Sequence, residues 1–237
     1  MSYNGKMIQE KLIGAVLLMG GVGTRFGSCI PKQFHPLSGK KVYQHALDTM
    51  LASALFDEII LTVPPDYIDL HHENLTIIQG GKTRQESSFL ALQAFQKKID
   101  IVLIHDAVRP FVSKKILEDN VLGAIQWGAV DTCIATFDTL VHAPNKKSIS
   151  SIPPREQFLR GQTPQTFRMD WILQAHEKAL LDGIENATDD CQLVLRQDRP
   201  IHIVQGEERN LKITTELDLL IAETYFATTH SGYCNYK

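Results

Sequence analysis

The chain has 237 residues, 43% of them hydrophobic and 22% charged, which suits an α/β protein with a full core and excludes collagen-like, disordered and disulfide-scaffold classes. With 24 basic and 27 acidic residues the formal charge is −3. That balance lacks the basic excess of a nucleic-acid binder and still leaves room for a small anionic ligand. Four scattered cysteines, Cys29, Cys133, Cys191 and Cys234, form no CxxC pair, so neither a zinc site nor a disulfide framework is expected, and a reducing compartment fits.

Lys6 and Lys11 ahead of the apolar run 12–19 give the outline of a secretory signal. The run is short, Gly14 interrupts it, and a glycine loop bearing Arg25 follows where a cleavage site belongs. No segment reaches the roughly 18 apolar residues of a membrane span. A cytoplasmic chain that binds neither membrane nor nucleic acid is the expectation. In chain order, short apolar runs at 12–18, 58–63, 76–78, 101–105, 130–136 and 201–204 predict strands. Helical patterns at 41–54, 83–97, 114–127, 169–181, 188–196 and 215–225 fall between or after them. This alternation predicts an α/β fold with a mainly parallel sheet flanked by helices. Ser113 is a cap for the third helix, and Thr188, Asp189 and Asp190 place acid at a helix N-terminus, where the dipole favours it. The stretch 138–158, with Pro144, Asn145, Pro153 and Pro154, breaks the alternation and reads as a hairpin arm or a long surface loop.

The first strand runs into Gly20-Gly21-Val22-Gly23-Thr24-Arg25 and then Pro31-Lys32-Gln33-Phe34. Glycines without Cβ let backbone N–H groups approach a polyphosphate, and Arg25 and Lys32 add positive charge. The GxxxxGK[ST] spacing of a P-loop is absent. Phe26 stands where a dinucleotide fingerprint needs a third small residue. The buried strand ending His105-Asp106, followed by Ala107-Val108-Arg109-Pro110, puts a carboxylate at the carboxyl edge of the sheet, where open α/β folds bind ligands. Beside a triphosphate such a carboxylate suits Mg2+, a hard cation that prefers oxygen donors. It could instead cap a turn and pair with Arg109. In Gln79-Gly80-Gly81-Lys82-Thr83-Arg84-Gln85-Glu86-Ser87, Gly81 can admit a base or ribose and Ser87 can offer a hydroxyl. The plainer reading is a helix cap with solvated Lys82 and Arg84. His105 reads as structural.

Taken in order, GGxGxR, PKQF, QGGxxRxxS, HDAVRPF, Arg155 with Thr163-Pro164-Gln165, Thr188-Asp189-Asp190 and Asn210-Leu211-Lys212-Ile213-Thr214 resemble the 2-C-methyl-D-erythritol 4-phosphate cytidylyltransferase family over roughly residues 12 to 226. HDAVRPF, GAVDT and GQTPQ equally resemble the related ribitol 5-phosphate cytidylyltransferases. The resemblance implies a Rossmann-like nucleotidyltransferase fold whose protruding β-arm, 138–158, dimerises the protein. It also implies the transfer of CMP from CTP to a polyol phosphate, with release of pyrophosphate. By position, Arg25 and Lys32 match the residues that stabilise the transition state, and Arg155 and Lys212 those that position the acceptor phosphate. Asp106 matches the acid near the metal and the acceptor. Thr139, from the partner's arm, and Thr163 match further acceptor contacts, and Gly21, Gly23, Gly81, Ser87 and Ala107 match the nucleotide site. Met19-Gly20, Thr24, Lys82 and Phe137 depart from the family pattern, the last of them near the acceptor. Methylerythritol phosphate is the leading acceptor, D-ribitol 5-phosphate the alternative. From other classes, an NAD(P)-binding oxidoreductase and a catalytically dead nucleotide-binding module remain to be weighed.

Overall fold

A computed structural model describes residues 8, 10–20, 30–73 and 75–230. Its main sheet is built from β1 (Ile13–Leu18), β4 (Glu58–Val63), β5 (Thr76–Gln79), β6 (Ile101–Asp106), β7 (Ala129–Ala135), β8 (Leu159–Arg168) and β9 (His202–Gln205), in the order β5-β4-β1-β6-β8-β7-β9. A small antiparallel pair, β2 (Pro36–Leu37) and β3 (Lys40–Lys41), follows the first loop. The helices are α1 (Val42–Ser53), α2 (Arg84–Gln93), α3 (Lys114–Trp127), α4 (Met169–Leu181), α5 (Asp190–Leu195) and α6 (Glu216–His230). The pairs β5–β4, β4–β1, β1–β6 and β7–β9 are parallel, and β8 runs antiparallel to both β6 and β7. The sheet is therefore mainly parallel, as expected.

Every residue of β1 is buried, because helices cover both faces of the sheet. Leu17, Leu103, Ile116, Leu117 and Met50 pack on one side; Val16, Ile60, Ile104, Phe167 and Ile172 pack on the other. Local chemistry sets the helix ends. The Thr83 hydroxyl accepts from the Glu86 N–H at 3.0 Å and the Ser113 hydroxyl from the Ile116 N–H at 3.2 Å. Gly128, at φ +91°, ends α3; a Cβ there would lie 2.6 Å from the Trp171 ring. From β1 the chain crosses to β4 on one side, and β6 later lands on the other. The order of strands thus reverses at β1, where Leu18 stands opposite Asp106. A crevice opens at the carboxyl ends of the two strands, the place where open α/β sheets hold their ligands.

Several segments differ from expectation. The ten-residue strand β8 is absent from the sequence reading, because Gly161, Pro164 and a run of polar residues hide it. It lies between β6 and β7, and its central residues are buried. The last helix extends to His230, and α5 begins at Asp190, with Asp189 as its cap through the Gln192 N–H at 2.9 Å. Between β7 and β8 the chain leaves the sheet and doubles back. His142 and Ser151 form an antiparallel bridge, and the Asn145 side chain accepts from the N–H groups of Lys147 and Ser148 at the turn. This hairpin leaves Phe137, Val141, Ile149 and Ile152 exposed.

Candidate active site

The crevice is built from four pieces of chain. The first follows β1. Gln33 is completely buried and donates from Nε2 to the Met19 carbonyl at 2.6 Å, tying the 3-10 turn Lys32–Phe34 to the end of the strand. Phe34 stacks on Tyr67 with ring centroids 3.7 Å apart, so half-buried Lys32 rises from a fixed base. Gly21, Gly23 and Arg25 lie outside the described residues. The second piece is the turn from β5 into α2. Gly20, at the end of the first piece, lies against Ser87, whose Oγ would be 3.4 Å from a Cβ on that glycine. Gly20 therefore lies beside the turn that holds Gly81. Ser87 was expected to address a base. In the structure its hydroxyl donates to the Thr83 carbonyl at 2.8 Å and accepts the Gly81 N–H at 3.0 Å, fixing the Gly81 turn.

The third piece is the end of β6. His105 is wholly buried, and burial lowers its pKa to about 4 despite the nearby Asp106 carboxylate and its bond to the Arg109 carbonyl. A neutral ring whose Nε2 lies 3.2 Å from that carbonyl carries its proton on Nε2. Its Nδ1 then accepts from the Thr163 hydroxyl at 2.9 Å, and Thr163 Oγ1 accepts the Asp106 N–H at 3.0 Å. Thr163, expected at the acceptor, thus locks β8 to β6 instead of presenting a free hydroxyl. Ala107 is buried and donates its N–H to the Leu18 carbonyl at 3.0 Å.

The fourth piece is the loop 206–215. Asn210 is fully buried; its Nδ2 donates to the Thr163 carbonyl at 2.8 Å, and its own carbonyl accepts from Arg109 Nη1 at 2.9 Å. This places Lys212 so that Nζ donates to Asp106 Oδ2 at 2.7 Å. On the other side of the carboxylate, Arg84 Nε stands 3.6 Å from Oδ1. Arg109, the partner weighed from sequence, spends its Nη1 on Asn210. Burial by itself would raise the Asp106 carboxyl, but Lys212, Arg84 and Arg109 together hold it far below the usual carboxylate range.

Sequence reasoning left Arg84 to solvent and assigned Asp190 to the helix dipole. The structure pairs them at 2.7 Å, with the Asp190 side chain 1% exposed. The signals were the Arg of QGGxxRxxS and the second Asp of TDD, neither interpretable before the fold joins them. Gln165 links this pair to a further carboxylate: its Oε1 accepts the Asp190 N–H at 3.1 Å and its Nε2 donates to Asp131 at 3.1 Å. Arg155 and Thr139 are not drawn into this cluster. Arg155 is exposed, donates from Nη1 to the Phe137 carbonyl at 2.8 Å and closes the base of the hairpin, where Thr139 is also exposed.

A reversal of strand order, the Gly81 turn beside the end of β1 and a buried carboxylate flanked by cations define the class: an open α/β fold of the nucleotidyltransferase type. The sequence model for 2-C-methyl-D-erythritol 4-phosphate cytidylyltransferase matches residues 13–228, and the chain belongs to that family. Among solved structures it is similar to the 4-diphosphocytidyl-2C-methyl-D-erythritol synthase of Anaerococcus prevotii, at 31% identity and TM-score 0.83 over 94% of this chain and 99% of that one. It is also similar to 2-C-methyl-D-erythritol 4-phosphate cytidylyltransferase of Thermus thermophilus, at 31% identity and TM-score 0.77 over 90% and 98%. The bifunctional IspDF of Campylobacter jejuni matches at 25% identity and TM-score 0.76, over 88% of this chain and 53% of that one. Family membership decides against the nicotinamide alternative.

The site's surroundings yield a pH prediction. Burial pushes Asp131 up to about 6, against the pull of the Gln165 amide and with a further push from Asp189. The folded carboxyl therefore holds a proton over a range in which the unfolded one has released it. Stability falls as pH rises from about 4 to about 6. Asp131→Asn, which keeps an acceptor for Gln165, should be more stable than the wild type by about 1–2 kcal/mol near pH 7, after discounting for partial solvent access. The gap should close near pH 4. Urea unfolding at the two pH values measures it, and a gap of equal size at both would remove burial of the charge as its cause.

Proposed function

We propose that this chain transfers CMP from CTP to 2-C-methyl-D-erythritol 4-phosphate, releasing pyrophosphate. The observation that carries the reading is the Lys212–Asp106 pair at the β1/β6 crevice, in a chain matched by the family over residues 13–228. The acceptor phosphate is already an anion, so its oxygen attacks the α-phosphorus without a general base. The barrier lies in bringing two polyanions together and in stabilising charge on the transferring phosphoryl group and the departing pyrophosphate, a task for fixed cations. Arg25 and Lys32 are assigned to the triphosphate, and Gly21, Gly23, Gly81 and Ala107 to the close approach of the nucleotide. Ser87 acts by holding the Gly81 turn.

Lys212 is 41% exposed on its side chain and can exchange Asp106 for the acceptor phosphate. Among the described residues no group of three or more His, Cys, Asp or Glu side chains could hold a metal ion. Mg2+ needs no such group, since it takes one or two carboxylates and completes its shell with substrate phosphate and water. Asp106 is the carboxylate that would hold it, through the ion's water shell, which leaves both carboxylate oxygens to the neighbouring cations. Bound there, the ion would offset negative charge on the triphosphate.

Arg155 and Thr139 lie at the hairpin base, away from Lys212's contacts, and both are assigned to the acceptor. Placing them there calls for a second copy whose arm reaches across. Exposed Phe137, Val141, Ile149 and Ile152 give that arm an apolar surface to bury, so a homodimer is part of the proposal. A cytoplasmic setting agrees with the free thiols of Cys133 and Cys191, and no helix among the described residues is long and apolar enough to cross a membrane.

Pyrophosphate release from CTP, followed with methylerythritol phosphate and with D-ribitol 5-phosphate in parallel, tests the activity. Turnover with the first and little with the second is expected, and the reverse preference would overturn the acceptor. In the same assay Lys32→Ala should lose about 3 kcal/mol of transition-state stabilisation, a drop of roughly a hundredfold or more, with the fold intact. Near-normal turnover would remove Lys32 from the mechanism. Sedimentation should show a dimer, and Ile149→Asp with Ile152→Asp should shift it to monomer and depress turnover. A fully active monomer would exclude any contribution from the partner's arm.

A further inference from the structure

Arg84 stands at the first turn of α2 between two carboxylates. Its Nη1 is committed to Asp190 Oδ2 at 2.7 Å. The other edge of the guanidinium, formed by Nε and Nη2, is the side-on fork that fits a carboxylate with two parallel hydrogen bonds. Here that fork is unspent. Nε stands 3.6 Å from Asp106 Oδ1, too far for a hydrogen bond. Nη2 is buried and has no hydrogen-bond partner among the described residues. Buried donors without acceptors are costly, so a partner that arrives at some stage of the cycle is the physical reason to keep them.

The anchor behind Arg84 is firm. His176 Nε2 meets Asp190 Oδ1 at 3.0 Å with both side chains 1% exposed, and Gln165 holds the Asp190 backbone. The residue next to Arg84, Gln85, stitches the start of α2 to the loop before α5. It donates to the Ile184 carbonyl at 2.6 Å and accepts from the Ala187 N–H at 2.8 Å. Lys212, by contrast, is half in solvent on a flexible stem. When it passes to the acceptor phosphate, as the functional reading above requires, Asp106 loses its hydrogen-bonded cation. A carboxylate that buried needs another.

We propose that Arg84, anchored by Asp190, is a positioning residue that closes its side-on fork on Asp106 as Lys212 leaves for the acceptor phosphate. The exchange keeps Asp106 in one orientation throughout the reaction and sends Lys212 to the acceptor without stranding a buried charge. It rests on the assignment of Lys212 to the acceptor phosphate, while the fork itself can be tested without turnover.

The first experiment is the crystal structure of Lys212→Met, which removes the competing cation and keeps the stem. Both Nε and Nη2 of Arg84 should then lie about 3 Å from the Asp106 oxygens. A fork left at its present distance, or an Asp106 turned elsewhere, overturns the proposal. The second is a kinetic cycle with CTP and methylerythritol phosphate. Arg84→Gln should lower kcat about 10–100-fold and leave the KM for CTP within about threefold. Arg84→Lys should stay impaired, since a point charge cannot replace the fork. Asp190→Asn should cost less, and added to Arg84→Gln it should cost nothing more, because Asp190 acts through Arg84. Additive losses, or wild-type turnover in Arg84→Lys, would contradict this. Thermal unfolding of each variant is measured alongside; should Asp190→Asn fail to fold, the two Arg84 variants and the Lys212→Met structure still decide. A wild type inactive with every polyol phosphate would overturn the functional reading, and the Lys212→Met structure would then decide the fork alone.

Discussion

Asp106 keeps a negative charge in a place where little water reaches it, with 9% of its side chain exposed. Taking a carboxylate out of water costs several kcal/mol even after relaxation, and only well-placed cations and donors offset it. The rest of the crevice is arranged to supply them. β6 carries the carboxylate to the edge beside β1, the loop 206–215 brings Lys212 from the far end of the chain, and α2 brings Arg84. None of these pieces would have reason to meet without the others, and removing one cation leaves the carboxylate to those that remain.

Beneath the carboxylate lies a layer of polar groups with their roles settled in advance. The Asp106 N–H, the Thr163 hydroxyl and the neutral His105 ring form one chain of hydrogen bonds ending on the Arg109 carbonyl. Arg109 and Asn210 close a second chain back to the Thr163 carbonyl. These groups join β6, β8 and the Lys212 loop into one platform. Donors fixed before substrate arrives need no reorganisation during reaction, and that is where electrostatic catalysis gains its advantage over water. Thr163, assigned from resemblance to a direct contact, is part of this platform, and Ser87 holds the Gly81 turn.

The sequence made the frame legible where periodicity is strong. β4, α3 and α4 fall at the predicted bounds, since each is a clear apolar run or an amphipathic stretch, α3 with Ser113 as its cap. β8 was illegible because a strand buried between two others is here written with Thr, Gln, Gly and Pro, whose polar atoms are satisfied only by tertiary partners. The same limit hid Arg84 and Asp190. A charged residue reads as solvated until the fold shows another of opposite sign 106 positions away. Asp106 was found because it ends a strand in the specific motif HDAVRPF, and Lys212 through the family resemblance, yet their direct contact was not foreseeable from spacing. For Gly21, Gly23 and Arg25 the motif remains the whole basis of assignment.

The charge on Asp106 is the quantity on which all of this turns, and it can be observed directly by carbon NMR of the side-chain carboxyl in selectively labelled protein across an acid titration. Bracketing by Lys212 and Arg84 predicts that the Asp106 signal is still that of a carboxylate when the pH has fallen below the ordinary value near 3.9 for aspartate. A midpoint at or above that ordinary value would contradict it, because burial would then outweigh the two cations and the site would not be built around a fixed negative charge.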